Sequence, residues 1–370
     1  MDFDGSSIFR VLGKEVLLGV CGQRSSDRTP NMRSLAVVCT LLLVGFGQGL
    51  RTVPIYTSQD FARLHAPAPG TYHPECPERV AVILEALVKS PDKYEILAPG
   101  MELDAASHRP TAVAAVKLAH DEEYIKDVFR RCKGGATGLS PWDTDTYLSR
   151  DTFELCLLAQ SCWLDGVRHV LGFGGKFAFA VTRPPGHHAE FKSGMGFCIF
   201  NFGAGAALHA VKNGLARRVA ILDFDVHYGH GVADIVSRDP RIRYASLHQG
   251  GIYPNPPVPD GVQPSAHSNV LTVNLNSGFQ IDAYLAALRE KVLPFLSTDF
   301  GPDLLVVSAG FDALASEEIA NGGLRPGDFA AISKLLREAF PNVGVLYGLE
   351  GGYVLRDLPL AVEAAIEPWL

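Results

Sequence analysis

Three side chains that can bind a metal stand at alternate positions in Asp223-Phe224-Asp225-Val226-His227, directly after the apolar run Val219-Ala220-Ile221-Leu222. Alternate residues of an extended backbone share a face, so Asp223, Asp225 and His227 can point to one side. A strand that is apolar throughout is expected to be buried on both faces, and charge at its carboxyl end then needs a compensating partner such as a cation. Asp oxygen with His nitrogen suits Zn²⁺ or a similar divalent ion, and three protein ligands plus water is the catalytic arrangement. A plainer role also fits, with one aspartate capping the next helix and His227 hydrogen-bonded in the core.

Other polar residues follow other apolar runs. Phe177-Ala178-Phe179-Ala180-Val181 leads to Arg183-Pro184-Pro185-Gly186-His187-His188. Leu304-Leu305-Val306-Val307-Ser308 leads to Ala309-Gly310-Phe311-Asp312, and Val343-Gly344-Val345-Leu346 leads towards Glu350-Gly351-Gly352-Tyr353. Asp312 could complete a ligand set with Asp225 and His227. A metal held there lowers the pKa of bound water and polarises a carbonyl, as hydrolysis of an unactivated amide requires. The adjacent His187 and His188 could accept and donate the protons, or serve as ligands or structural groups. Tyr353, after two glycines that allow tight backbone geometry, could donate its hydroxyl to an oxyanion, or be an ordinary core tyrosine.

The elements that must hold these residues alternate. Short β-rich runs at 177–181, 219–222, 244–247, 270–275, 304–308 and 343–346 are separated in several places by helical stretches at 204–213, 283–293 and 326–340. That alternation predicts an α/β fold with a doubly wound, mainly parallel sheet and helices on both faces. Ligands in such sheets bind outside the carboxyl ends of the strands, where these motifs converge. Earlier in the chain, 53–56 reads as an edge strand and 80–87, 112–119, 123–131 and 152–170 as helices, with Asp143-Thr144-Asp145-Thr146-Tyr147 as a polar loop.

The chain has 370 residues, 47% of them hydrophobic and 20% charged, which suits a globular protein with a large core. A net charge of −7 gives no support for direct nucleic-acid binding, while a basic peptide or amine substrate remains compatible. The 7 cysteines form no CxxC pair, so neither a Cys-based zinc site nor a disulfide framework is indicated. Residues 1–50 read as a targeting or disordered segment ahead of one domain, 51–370. Their apolar run 35–46, with Met32-Arg33 just before it, has the length of a signal-peptide core and is short for a membrane span. An anchor or a buried helix is the other reading of that run. The segment thus suggests secretory or organellar targeting, with a cytoplasmic or nuclear address otherwise.

Taken together, Arg183-Pro184-Pro185-Gly186-His187-His188, Gly196-Phe197-Cys198-Ile199-Phe200-Asn201, Asp223-Phe224-Asp225-Val226-His227, Ser308-Ala309-Gly310-Phe311-Asp312 and Glu350-Gly351-Gly352-Tyr353 resemble the zinc-dependent histone deacetylase family. The likeness is nearest to its class II-like and bacterial acetylpolyamine amidohydrolase branch. The resemblance implies a single arginase-like α/β domain that removes acyl groups from acyl-lysine in proteins or peptides. By motif position, Asp225, His227 and Asp312 would bind one Zn²⁺, His187 and His188 would handle protons, and Tyr353 would polarise the carbonyl. Asp223 would orient His187 and help to hold a structural K⁺ beside Ser246-Leu247. Gly196, Phe197 and Tyr253 would line a narrow acyl-lysine tunnel. The family usually has Asp or Asn where this chain has His230, the residue that supports His188, and Tyr228 replaces a frequent histidine. Polyamine-directed relatives carry an acidic gatekeeper at the position that ungapped counting gives to Ile319, with Glu317 and Glu318 nearby. Protein acyl-lysine is therefore the first substrate reading and acetylpolyamine the second, with a catalytically silent acyl-lysine binder as a further alternative.

Overall fold

The apolar runs pair side by side because parallel strands, covered on both faces, bury β-branched and aliphatic side chains without alternation. A computed structural model describes residues 52–99, 105–135, 138–140, 143–172 and 175–370. The N-terminal segment with the apolar run 35–46, and the targeting role read for it, lie outside the described residues.

The strands are β1 Val53–Tyr56, β2 Tyr94–Leu97, β3 Gly138–Ser140, β4 Asp143–Tyr147, β5 Phe177–Ala180, β6 Val219–Asp223, β7 Ile242–Gln249, β8 Gly261–Val262, β9 Val270–Leu275, β10 Leu304–Ala309 and β11 Gly344–Leu349. The helices are α1 Glu78–Leu87, α2 Ala105–Ala119, α3 Glu122–Gly134, α4 Thr152–Gly172, α5 Phe202–Lys212, α6 His230–Val236, α7 Ile281–Ala287, α8 Leu293–Ser297, α9 Asp328–Ala339 and α10 Leu358–Ile366. Nine strands form one sheet in the order β2-β1-β5-β11-β10-β6-β7-β9-β8. Its pairings are parallel except that of β8 with β9. Helices lie around it, α4 against β5 and β11, α5 against β6 and β10, α6 against β7. β6 and β10 are buried throughout, which is why they read as unbroken apolar runs.

This is the expected single α/β domain with a doubly wound, mainly parallel sheet, and three local expectations change. β1 is not an edge strand, because Tyr94–Leu97, which the sequence did not mark, pairs along its outer side. Asp143–Tyr147 is a strand rather than a loop and pairs antiparallel with Gly138–Ser140. The helix read over 283–293 runs from Ile281 to Ser297, with a π-helical turn at Leu288–Val292 in its middle.

Register brings the motif strands level. Ser308 stands beside Asp223, Asp223 beside Ser246, Ala309 beside Leu349 and Gly348 beside Ala180. The residues that follow β5, β6, β7, β10 and β11 therefore leave the sheet at one edge.

Candidate active site

Asp223 ends β6, and Asp225 and His227 lie in the turn beyond it. The turn stays close to the sheet because the Phe224 N–H donates to the Ser308 carbonyl at 3.1 Å. His227 Nδ1 lies 3.1 Å from Asp225 Oδ1 and 3.0 Å from Asp312 Oδ2. Among the described residues these three form a group whose ligand atoms all fall within 4.8 Å of one another, and all three are buried.

Backbone amides fix both carboxylates. Asp225 accepts the N–H of His227 at 2.9 Å on Oδ1 and that of Gly351 at 2.9 Å on Oδ2. Asp312 Oδ1 accepts the Val226 N–H at 2.9 Å. Gly310 and Gly351 pack so closely on these carboxylates that a Cβ at either would collide with Asp225. Burial alone would lower the pKa of His227, yet hydrogen bonds to Asp225 and Asp312 raise it to about 10. Two buried carboxylates thus converge on one imidazole nitrogen, and a divalent cation could take the proton's place there. The donor set of one nitrogen and two oxygens, preoriented by amides, fits such an ion.

Asp223 does not join this group. Its Oδ2 lies 3.1 Å from His187 Nδ1 and accepts the Tyr244 hydroxyl at 2.8 Å. His187 Nε2 lies 3.7 Å from Asp225 Oδ2, so the ring bridges the two aspartates. Burial opposes its charge, but Asp225 and Asp223 outweigh that and raise its pKa to about 10. The His187 and Gly186 amides donate to buried Glu350 at 3.1 and 2.6 Å, tying the Pro-Pro-Gly turn to the end of β11.

His188 stacks beside His187, with ring centroids 3.9 Å apart. Burial and the neighbouring imidazoles of His187, His230 and His227 push its pKa well down, which keeps it neutral and able to accept a proton. Its Nδ1 lies 3.2 Å from His230 Nδ1. Tyr228 stacks on His248 instead, at 5.1 Å.

Tyr353 is held from several sides. The Arg79 guanidinium lies 4.6 Å from its ring centre, and Phe197 meets the ring edge-on at 5.6 Å. Burial raises its pKa well above the usual phenol value, so the hydroxyl stays a donor. Arg79, itself fully buried, donates from Nε to the Gly352 carbonyl at 2.6 Å and from Nη2 to that of Glu350. Glu317 Oε1 accepts the N–H of Tyr353 at 2.6 Å and of Val354 at 3.1 Å.

Gly196 and Phe197 both have left-handed backbones, with φ of 57° and 70°. A Cβ on Gly196 would come within 2.7 Å of the His188 ring and 3.0 Å of Tyr253. Asp143 Oδ2 accepts the Gly196 N–H at 2.8 Å and Thr146 Oγ1 accepts that of Phe197 at 2.9 Å. Tyr253 stands edge-on to His188 at 4.9 Å, so Gly196 and Tyr253 both pack on the second histidine, while Phe197 packs on Tyr353. Glu318 and Ile319, also singled out in the sequence, are exposed. Sequence reasoning missed Arg79, Asp143 and Thr146 as supports. Their only signal was charge and hydrogen-bonding capacity in segments that read as loops.

The family model described as the histone deacetylase domain matches residues 73–368. A Synechocystis protein described as uncharacterized is 38% identical over 323 residues, covering 86% of this chain and 99% of its own. Histone deacetylase 10, chloroplastic, of rice is 32% identical over 317 residues, covering 80% of this chain and 70% of its own. Among solved structures, the HDA15 HD domain superposes with a TM-score of 0.75 at 26% identity, covering 86% of this chain and 90% of that one. The match over most of the chain, in sequence and in fold, places this protein in the histone deacetylase family.

Proposed function

We propose that this chain is a zinc-dependent amidohydrolase that removes acyl groups from acyl-lysine in proteins. The observation that carries the reading is the convergence of Asp225, His227 and Asp312 within 4.8 Å beside the paired rings of His187 and His188. Asp225, His227 and Asp312 would hold one Zn²⁺, which when bound supplies Lewis-acid polarisation of the carbonyl and a more acidic water. His188 takes the proton of the attacking water on Nε2. His187, kept in place by Asp223, supplies positive charge beside the developing oxyanion. The Tyr353 hydroxyl donates to that same oxygen, and the proton collected by the histidines leaves on the lysine amine. Asp223, with Ser246 and Leu247 beside it, is also the place for a structural K⁺.

Exposed Ile319 supports a protein substrate over a polyamine. Glu317 is not available as an acidic gatekeeper, because its carboxylate is turned inward onto the Tyr353 and Val354 amides. A silent acyl-lysine binder is the second reading, favoured by His230 where a carboxylate would support His188. The rice relative's chloroplastic name and the apolar run 35–46 together support an organellar address given by residues 1–50.

Zinc-loaded protein given an acetyl-lysine peptide and acetylspermidine in parallel tests the reading. Faster peptide hydrolysis is expected. Dominant acetylspermidine turnover would reassign the chain to polyamine hydrolysis, and peptide binding without product would make it the silent binder.

A further inference from the structure

His188 and His230 face each other through like atoms. Their Nδ1 atoms are 3.2 Å apart, so a hydrogen bond between them needs one proton and one lone pair. Burial keeps the His230 ring uncharged, lowering its pKa to about 4. Two arrangements satisfy the pair. With the proton on His188 Nδ1, the Nε2 of His188 carries a lone pair and can act as a base. With it on His230 Nδ1, neutral His188 carries its hydrogen on Nε2 and cannot accept another.

The far side of His230 decides between them. Its Nε2 lies 3.2 Å from Met195 Sδ and 3.9 Å from Glu190 Oε1. In the first arrangement Nε2–H points at a sulfur acceptor and a carboxylate. In the second a bare lone pair faces that carboxylate and is repelled. Opposing this, the Tyr228 carbonyl lies 3.4 Å from His230 Nδ1, at the outer limit of hydrogen bonding, and would accept a proton there. The same carbonyl is also a hydrogen-bond partner of His188, so it favours neither arrangement, and the Glu190 charge 3.9 Å from Nε2 is the difference that remains. The parts are also fixed. The Val232 amide donates to the His187 carbonyl at 3.1 Å, Gly231 packs on the backbone of Ala189, and Ser193 Oγ donates to Glu190 Oε2 at 3.0 Å.

We propose that Glu190, acting through His230, is a positioning residue that selects the Nδ1-protonated form of His188, so that a His188–His230–Glu190 chain does here what a direct carboxylate does elsewhere in the family. This rests on the reading of His188 as the proton acceptor.

Long-range ¹H–¹⁵N spectra of histidine-labelled, zinc-loaded protein test it directly. His188 Nε2 should resonate as an unprotonated nitrogen, and Glu190→Gln should move it towards the protonated type. A protonated Nε2 in the unaltered protein, or no change on substitution, would overturn the proposal. These spectra report the tautomer whether or not substrate is turned over, so absence of turnover contradicts the hydrolase reading alone. Kinetics give an independent check. Glu190→Gln should lower kcat about 10-fold with KM and zinc content unchanged, and should have no effect in a His230→Asp background, where a carboxylate meets His188 directly. An equal loss in both backgrounds would assign Glu190 a merely structural role.

Discussion

Each carboxylate proposed as a metal ligand is oriented by backbone amides, and each lies where a substitution has a specific consequence. Asp312→Ala removes one donor and leaves Asp225 and His227. Zinc affinity should fall by at least about 100-fold, read by competition with a chromophoric chelator. Tyr353→Phe keeps the ring against Arg79 and Phe197 while removing the hydroxyl. It should lower kcat about 100-fold with one zinc still bound, and loss of zinc in that variant would contradict the role given to the hydroxyl. Asp225, His227 and Asp312 were legible because each follows an apolar run at a strand end, where a buried charge needs a reason. Arg79 and Glu317 were not. Arg79 reads as one charge at the end of a loop, and only the folded chain puts its guanidinium under the Gly-Gly-Tyr turn.

The element most exposed to error is the turn at Gly196-Phe197. A left-handed Phe costs about 1–2 kcal/mol, and the turn persists because Asp143 and Thr146 accept its two amides. Asp143→Ala should raise KM for an acetyl-lysine peptide several-fold with zinc content unchanged, because Phe197 loses its fixed position. An unaltered KM would show that the turn holds without the clamp. Nothing in Asp143-Thr144-Asp145-Thr146-Tyr147 announced this. A short strand with polar exposed side chains, such as Thr144 and Asp145, has the composition of a loop, and its use as a clamp depends on contacts about 50 residues away in sequence. The sheet was more readable, since β6, β10 and β11 are largely buried and mostly apolar until their carboxyl ends. β2 escaped notice because Tyr94–Leu97 is a short edge strand with only one fully buried residue.

Across the whole molecule, a buried ionic cluster fastens the first described residues to the end of β5. Arg183 pairs with Glu75 at 2.8 and 2.7 Å and donates to the carbonyls of Leu64 and His65 at 2.7 and 2.6 Å. Burial would raise the pKa of Glu75, but Arg183 outweighs it and brings it from 4.5 to about 2. Burial, with Arg183 adding to it, lowers His65 from 6.5 to about 3. Both folded-state values lie below the unfolded ones, so both groups contribute stability that is complete above the unfolded pKa and lost as pH falls. The denaturation midpoint should decline below about pH 6.5 and more steeply below about pH 4.5, and Glu75→Gln should remove the steeper part. That variant also leaves Arg183 buried without its partner, which costs about 3–5 kcal/mol at neutral pH. A wild-type midpoint flat between pH 7 and 4 would contradict this role for the cluster.

The proposed lysine deacylase activity depends on one metal ion held by Asp225, His227 and Asp312. Its most direct test is the turnover of an acetyl-lysine peptide as Zn²⁺ is titrated into metal-free protein, beside the same titration of Asp312→Ala. Turnover should rise in proportion to added zinc, level off at one equivalent, and be absent in the variant. Turnover that needs no metal, that requires two equivalents, or that survives in Asp312→Ala would contradict the account.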